Sequence, residues 1–81
     1  MLNQVLLKGN ILSVCEQMIQ IVLDNGETVV KIYNVPKEMI PSLLINNVVA
    51  INGHLEEVNH EQIIVVCDRI IVLDSRGRKN P

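Results

Sequence analysis

The pattern of apolar and polar positions in residues 3–16 is that of one long β-strand. In this segment, NQVLLKGNILSVCE, alternate positions share a face, and Val5, Leu7, Ile11 and Cys15 fall together on one of them. Gly9 lies on the same face, in the middle of the segment. A glycine inside a strand permits a bulge or a sharp bend, as at the corner of a barrel. We therefore expect a long first strand with a bend or bulge near its glycine.

A β-hairpin is predicted next. The strand-like runs QMIQIVL and ETVVKIYNV are separated by the tripeptide Asp-Asn-Gly. An Asn-Gly pair between two such runs is a strong hairpin signal, because both residues tolerate positive φ. In the second run, Lys31 and Tyr33 lie on one face, and Val30 and Ile32 lie on the other.

Two prolines mark a change of structure after the hairpin. Pro36 and Pro41 exclude this region from a central strand, because proline cannot donate a hydrogen bond to a neighbouring strand. Proline suits the first turn of a helix instead. We predict a short helix over residues 37–46, with an apolar stripe formed by Met39, Ile40, Leu43 and Leu44.

Two further strands follow the predicted helix. The stretch VVAINGHLEEV, residues 48–58, keeps its alternation across Gly53, which favours one bent strand over two strands joined by a turn. The last run, IIVVCDRIIVLD, is apolar on both faces apart from Asp68 and Arg69. Such a strand is typically buried on both sides, here by a helix or by a partner subunit.

The order of these elements predicts an OB fold. Strand, strand, strand, helix, strand, strand is the order of this all-β, five-stranded Greek-key barrel, whose one short helix lies between strands 3 and 4. Glycine bends in the first and fourth strands let them wrap around a closing barrel. We predict one OB-fold domain over residues 1–74, and a short, polar, basic and disordered tail over residues 75–81.

Composition and charge refine this picture. Hydrophobic residues make up 48% of the 81 positions, yet there is no Trp, no Phe and one Tyr, so Val, Ile and Leu must build the core. The formal net charge of -2 does not by itself indicate a nucleic-acid-binding protein.

Neither a signal peptide nor a membrane span is predicted, so we expect a cytoplasmic protein. Cys15 and Cys67 lack metal-site spacing and are predicted to be buried free thiols.

Three stretches resemble bacterial single-stranded DNA-binding proteins, the SSB family, in a minimal form. MLNQVLLKGNI is similar to the opening strand of that family, VAINGHLEE to its fourth strand, and VVCDRIIVLD to its last barrel strand. The resemblance implies a non-enzymatic protein that binds single-stranded DNA in replication, repair or recombination. It also implies a dimer or tetramer that associates through the first strand. The family stacks bases on Trp and Phe, and this chain offers Tyr33 for that role.

The candidate binding residues centre on the third strand. Lys31 and Tyr33 share its outer face, which in OB folds helps to form the ligand-binding surface. Lys8 and Asn10 join them if the first strand lies alongside. Such a surface would offer an aromatic ring to a base and an ammonium group to a phosphate. Alternatively, Tyr33 packs at a subunit contact and the lysines only solvate an exposed face.

Two further groups of residues are candidates, one for phosphate contacts and one for metal binding. Arg76, Arg78 and Lys79 in the tail could contact phosphates without sequence preference, although a solvated terminus with no binding role explains them better. His54 and His60 lie near three glutamates, but no convincing third metal ligand accompanies them, and a solvent-facing strand explains them better. We therefore expect neither a metal nor another cofactor.

Two functions remain open from the sequence. The chain contains no nucleotide-binding loop, nucleophile elbow or catalytic triad, so we expect neither catalysis nor a small-molecule substrate. The first function is the binding of single-stranded DNA by an oligomer. The second is an OB-fold interaction or oligomerisation module with little or no nucleic-acid binding. Its apolar outer residues would hold a second copy or a partner protein, and they are Leu2, Leu6, Leu12 and Val29.

Overall fold

The computed structural model of the protein describes residues 3–74, which form five strands and one short helix. In chain order these are β1 (Gln4–Cys15), β2 (Met18–Leu23), β3 (Val29–Tyr33), a 3₁₀ helix (Lys37–Ser42), β4 (Val48–Val58) and β5 (Ile63–Asp74). The strands close into a barrel in the order β1-β2-β3-β5-β4. β4 pairs back onto β1, and only the β3–β5 pair is parallel. This strand order confirms the predicted all-β, OB-like barrel with its helix between β3 and β4.

Aliphatic side chains fill the interior of the barrel, as the composition predicts. Each of the five strands contributes at least one fully buried residue, so every strand is anchored to the same core. Full burial of one such side chain stabilises the fold by about 1.5–3 kcal/mol. The largest of these buried side chains are Ile11, Ile19, Ile21, Ile32 and Ile51, and β5 adds Val65.

The glycines of β1 and β4 mark places where two backbones come unusually close. A Cβ atom on Gly9 would lie 2.4 Å from the carbonyl oxygen of Val22, and one on Gly53 would lie 2.3 Å from that of Val66. Real Cβ atoms do not approach a carbonyl oxygen so closely, so the barrel wall requires glycine at both positions. The chain runs through each glycine without a turn, which confirms the prediction of one continuous strand across Gly53.

The bulge of β1 lies beyond its glycine and changes the prediction for one cysteine. The pairing of β1 with β2 shifts by one residue between Ile11 and Ser13. An extra residue in one strand reverses the face on which the following side chains fall. Val14 therefore packs against the core, and Cys15 is exposed, so its predicted burial is wrong. Cys67 is buried as predicted, and this burial, together with the nearby Asp68 carboxylate, raises the pKa of its thiol.

The helix is shorter and more tightly wound than the predicted one over residues 37–46. It is a 3₁₀ helix that ends at Ser42 and contains Pro41, and the following residue, Leu43, has an extended backbone. Because proline has no N–H group and clashes with the preceding turn of an α-helix, a short 3₁₀ segment accommodates it better. Met39 and Ile40 still pack against the core. No helix within residues 3–74 is long and apolar enough to cross a membrane.

Asn47 connects the segment after the helix to the first strand and is fully buried. Its side-chain Oδ1 accepts a hydrogen bond from the backbone N–H of Leu44 at 3.0 Å, and its backbone oxygen accepts one from Ile11 at 3.0 Å. Its Nδ2 group has no acceptor among the described residues. Asn47 thus orders the approach to β4 at the cost of one unsatisfied buried donor.

The outer face of β5 is open within the described chain. Ile71 and Leu73 are 48% and 52% exposed, so the burial of both faces of this strand that the sequence predicts does not occur within the chain itself. Across β4 lies Leu6 of β1, which is 77% exposed. In the ladder, Ala50 of β4 lies opposite both Lys8 and Ile71. β1, β4 and β5 therefore share an outer surface with exposed aliphatic side chains, which we call the β1–β4–β5 face.

Candidate nucleic-acid interface

Lys31 and Tyr33 lie on the outer surface of β3, as the alternation of that strand predicts. Lys31 pairs with Gln20 of β2 on one side and with Ile64 of β5 on the other. Tyr33 is 41% exposed, so part of its ring is available to solvent. The structure therefore brings these two candidate residues to one surface, the outer side of β2 and β3.

An open depression of about 380 Å³ lies at the Tyr33 end of this surface. The two-residue turn between β1 and β2 forms one side, and the end of β3 forms the other. Glu16 in the turn has φ 55° and Asn34 has φ 61°, a backbone region that residues other than glycine seldom adopt. Binding pockets for small groups commonly have volumes of about 300–1,000 Å³. The depression is lined by Cys15, Glu16, Gln17, Met18, Tyr33 and Asn34.

The other end of the surface is ordered by side-chain hydrogen bonds of the β4–β5 loop. Lys31 Nζ donates to Gln62 Oε1 at 3.3 Å. Gln62 Nε2 and Asn59 Nδ2 both donate to Glu57 Oε2, at 3.4 and 2.6 Å. The side chain of Asn59 also accepts two backbone hydrogen bonds from the loop, an Asx-turn arrangement. Sequence reasoning missed Gln62 as the partner of Lys31, because nothing local indicates which loop meets β3.

Lys8 and Asn10 do not lie beside Lys31 and Tyr33. β2 separates β1 from β3, and β1 begins to pair with β2 only at Gly9, so Lys8 points outward on the β1–β4–β5 face. Asn10 Nδ2 donates to the backbone oxygen of Asn46 at 3.5 Å, which ties it to the segment before β4. The candidate tail residues Arg76, Arg78 and Lys79 fall outside the described residues.

The described barrel is acidic. Three of the seven basic residues belong to residues 75–81, so residues 3–74 carry four basic and nine acidic side chains, a formal net charge of -5. Asp24 and Glu27 lie in the β2–β3 turn, and Glu57 and Glu61 lie at the β4–β5 loop. Because β3 and β5 are parallel, these acids sit where both strands begin. These four carboxylates repel phosphate groups more strongly than the single carboxylate of Glu16, which lines the depression at the Tyr33 end.

The histidines of β4 and the following loop are arranged as surface groups. His54 Nδ1 lies 2.7 Å from Asp68 Oδ2, and both side chains are largely exposed. His60 lies in the exposed β4–β5 loop. Within residues 3–74, no three His, Cys, Asp or Glu side chains come together in a group that could hold a metal ion. This contact is an ion pair only when the histidine is protonated, and an exposed pair of that kind stabilises a fold by about 0–1 kcal/mol.

The geometry narrows the candidate interface to the outer side of β2 and β3, with Tyr33 and its depression at one end and Lys31 in the middle. The half-buried Met18 and the exposed Cys15 give the depression a polarizable edge that suits contact with a flat ring. No protein-family model matches the chain, and no curated protein or solved structure matches it either.

Proposed function

We propose that the protein binds single-stranded DNA on the outer side of β2 and β3, without catalysing a reaction. One observation carries the proposal: Tyr33 and Lys31 lie on the same exposed surface of an OB-like barrel, with an open depression beside the tyrosine. A base stacks on the tyrosine and an adjacent phosphate contacts the ammonium group. From the resemblance to the SSB family we expect this activity to serve replication, repair or recombination in a bacterial cytoplasm.

Binding of a fluorescent oligo-dT tests the proposal, and substitution of Tyr33 has the most direct effect. Stacking on an aromatic ring contributes about 1–3 kcal/mol per base, so Tyr33→Ala should weaken binding roughly 5- to 150-fold. Tyr33→Phe keeps the ring and should bind like the unchanged protein.

Lys31→Glu should weaken binding and reduce the slope of log affinity against log salt concentration by about 0.7, the value of one lost phosphate contact on a single strand. Fluorescence anisotropy across a salt series measures both effects.

The controls for this experiment lie elsewhere on the barrel. Arg69 is exposed on the outer side of β5, so Arg69→Glu makes the same reversal of charge as Lys31→Glu away from the candidate interface. We expect it to leave the salt slope unchanged. Absence of saturable binding by the unchanged protein at about 20 mM salt, where phosphate contacts are strongest, would rule the proposal out.

A second candidate function is self-association through the β1–β4–β5 face. The exposed aliphatic side chains of Leu6, Ile71 and Leu73 favour it, since clustered apolar surface usually marks an interface. Of the residues that the sequence suggested for this role, Leu6 lies on this face. Leu12 and Val29 lie on the side formed by β1, β2 and β3, and Leu2 is outside the described residues.

Sedimentation of matched variants tests this second function. The protein should form a dimer or larger species, Leu6→Glu should return it to a monomer, and Leu12→Glu, an exposed leucine on the other side, should leave assembly intact. A buried carboxylate at an apolar contact is costly, which is why one substitution suffices. A weakly associating protein should be assembled at a concentration of about 100 µM. If the unchanged protein is still a monomer there, self-association is contradicted.

A further inference from the structure

A second depression lies on the far side of the β1–β2 turn. Its volume is about 420 Å³, and it opens between that turn and the 3₁₀ helix. On the helix side the cleft is lined by the apolar side chains of Ile40 and Pro41 and by the charged side chain of Lys37. On the turn side it is lined by Glu16 and Gln17. We call it the turn–helix cleft. None of its residues was singled out from the sequence as a binding residue.

The turn–helix cleft adjoins the depression at Tyr33. Glu16 and Gln17 line both, so the β1–β2 turn is the rim that the two share. This rim is held in place. Gln17 Nε2 donates to the backbone oxygen of Val35 at 3.0 Å. The backbone N–H of Val35 donates in turn to the backbone oxygen of Gln17 at 2.9 Å. Val35 precedes Lys37 by two residues, so the same contact positions the lysine relative to the rim.

The cleft is lined by one cation, Lys37, and one carboxylate, Glu16, whereas four carboxylates lie at the opposite end of the candidate interface. Of the four described basic residues, Lys31 and Lys37 flank Tyr33 along the chain, whereas Lys8 and Arg69 lie on the β1–β4–β5 face. Lys37 is exposed and forms no ion pair with a residue of the described chain. An exposed ammonium group beside apolar side chains fits a nucleotide, whose phosphate is anionic and whose base and sugar offer apolar contacts.

We infer that a single strand bound at Tyr33 continues over the β1–β2 turn into the turn–helix cleft, where Lys37 contacts the phosphate of the neighbouring nucleotide. The inference rests on the proposed function and names the direction in which the strand leaves the tyrosine. The strand then passes away from the acidic end of the surface, where Glu57 and Glu61 lie. Lys37 takes the second phosphate-binding role that Lys8 cannot fill from the opposite side.

Charge reversal at Lys37 tests the inference on the full chain, with a fluorescent oligo-dT of about 12 nucleotides, within the site sizes of single OB folds. Lys37→Glu should weaken binding about 5- to 10-fold and reduce the log–log salt slope by about 0.7. Lys37→Arg keeps the cation and should restore both values. Arg69→Glu carries the same change of charge on the β1–β4–β5 face and should leave the slope unchanged, with sedimentation showing that its state of assembly equals that of the unchanged protein. Thermal unfolding by circular dichroism checks that the variants, all at exposed positions, fold alike.

The outcomes separate this inference from the proposed function. If the unchanged protein binds and Tyr33→Ala weakens binding as expected, but Lys37→Glu and Arg69→Glu have equal effects, the strand does not enter the cleft and the inference fails alone. If the unchanged protein does not bind at about 20 mM salt, both fail together. A selective loss in Lys37→Glu that Lys37→Arg reverses supports the path through the cleft.

Discussion

Replacement of Gly53 by alanine is expected to lower the free energy of unfolding by about 3 kcal/mol, the upper part of the range for overpacking. The added methyl group would stand 2.3 Å from the carbonyl oxygen of Val66 and 2.9 Å from Cγ1 of Val65. β5 cannot retreat at this point, because Val66 also pairs with Tyr33 of β3. Relief of the clash therefore has to break pairing on one side of β5 or the other. Urea unfolding followed by circular dichroism measures the change.

Gly26→Ala is the matched control for this substitution. Gly26 has φ +76°, so alanine is strained there too, but nothing lies within 4 Å of the added methyl group. The left-handed backbone alone costs about 1–2 kcal/mol. The difference between the two variants isolates the steric effect of the barrel wall. Equal destabilisation by Gly53→Ala and Gly26→Ala would show that the two strands do not approach as closely as described.

Replacement of Asn47 by alanine is expected to cost about 2 kcal/mol, because it leaves the Leu44 N–H without its acceptor and opens a small cavity. The loss is limited, since alanine also removes the unsatisfied Nδ2 donor. Asn47→Asp separates these effects. The carboxyl group keeps an oxygen for Leu44, but at neutral pH it buries a negative charge in place of the amide. Denaturant unfolding at several pH values compares the two variants.

The pH dependence of Asn47→Asp has a definite sign. Burial raises the pKa of the introduced carboxyl group in the folded state above its unfolded value of about 3.9. At a pH between the unfolded-state and the folded-state pKa, the folded variant binds a proton that the unfolded variant does not. The stability of the variant relative to the unchanged protein therefore falls as the pH rises. The variant should therefore be weakest at neutral pH and recover toward pH 4. A difference that does not change with pH would contradict the burial of this side chain.

The order of strands and the continuity of β4 were predictable because their signals are local. Alternation, an Asn-Gly turn and glycines within apolar runs need no knowledge of partners. Position relative to other strands was not predictable in the same way. The bulge at Leu12 has no signature in its own residues, yet it moves Cys15 from the interior to the surface.

The candidate site shows the same limit. The face on which Lys31 and Tyr33 lie follows from strand period alone. Whether Lys8 joins them depends on where β2 begins to pair with β1, which is a long-range choice of register. Lys37 was overlooked because its position beside the β1–β2 turn depends on hydrogen bonds between Gln17 and Val35, residues that are distant in sequence. The positions of Lys8 and Lys37 relative to Tyr33 are set by tertiary contacts and cannot be predicted from residue types.

The two surfaces of the barrel differ in how far apart along the chain their residues lie. Tyr33, Lys37 and both depressions belong to a contiguous part of the chain, residues 15–41, built on neighbouring hairpin strands. The β1–β4–β5 face instead joins the first strand to the last two, as in the pairing of Gly9 with Val49. Pairings between distant segments cost more loop-closure entropy than local ones. A second copy seated on that face would hold together the pairings that close the longest loops, whereas a ligand at Tyr33 would contact one contiguous segment.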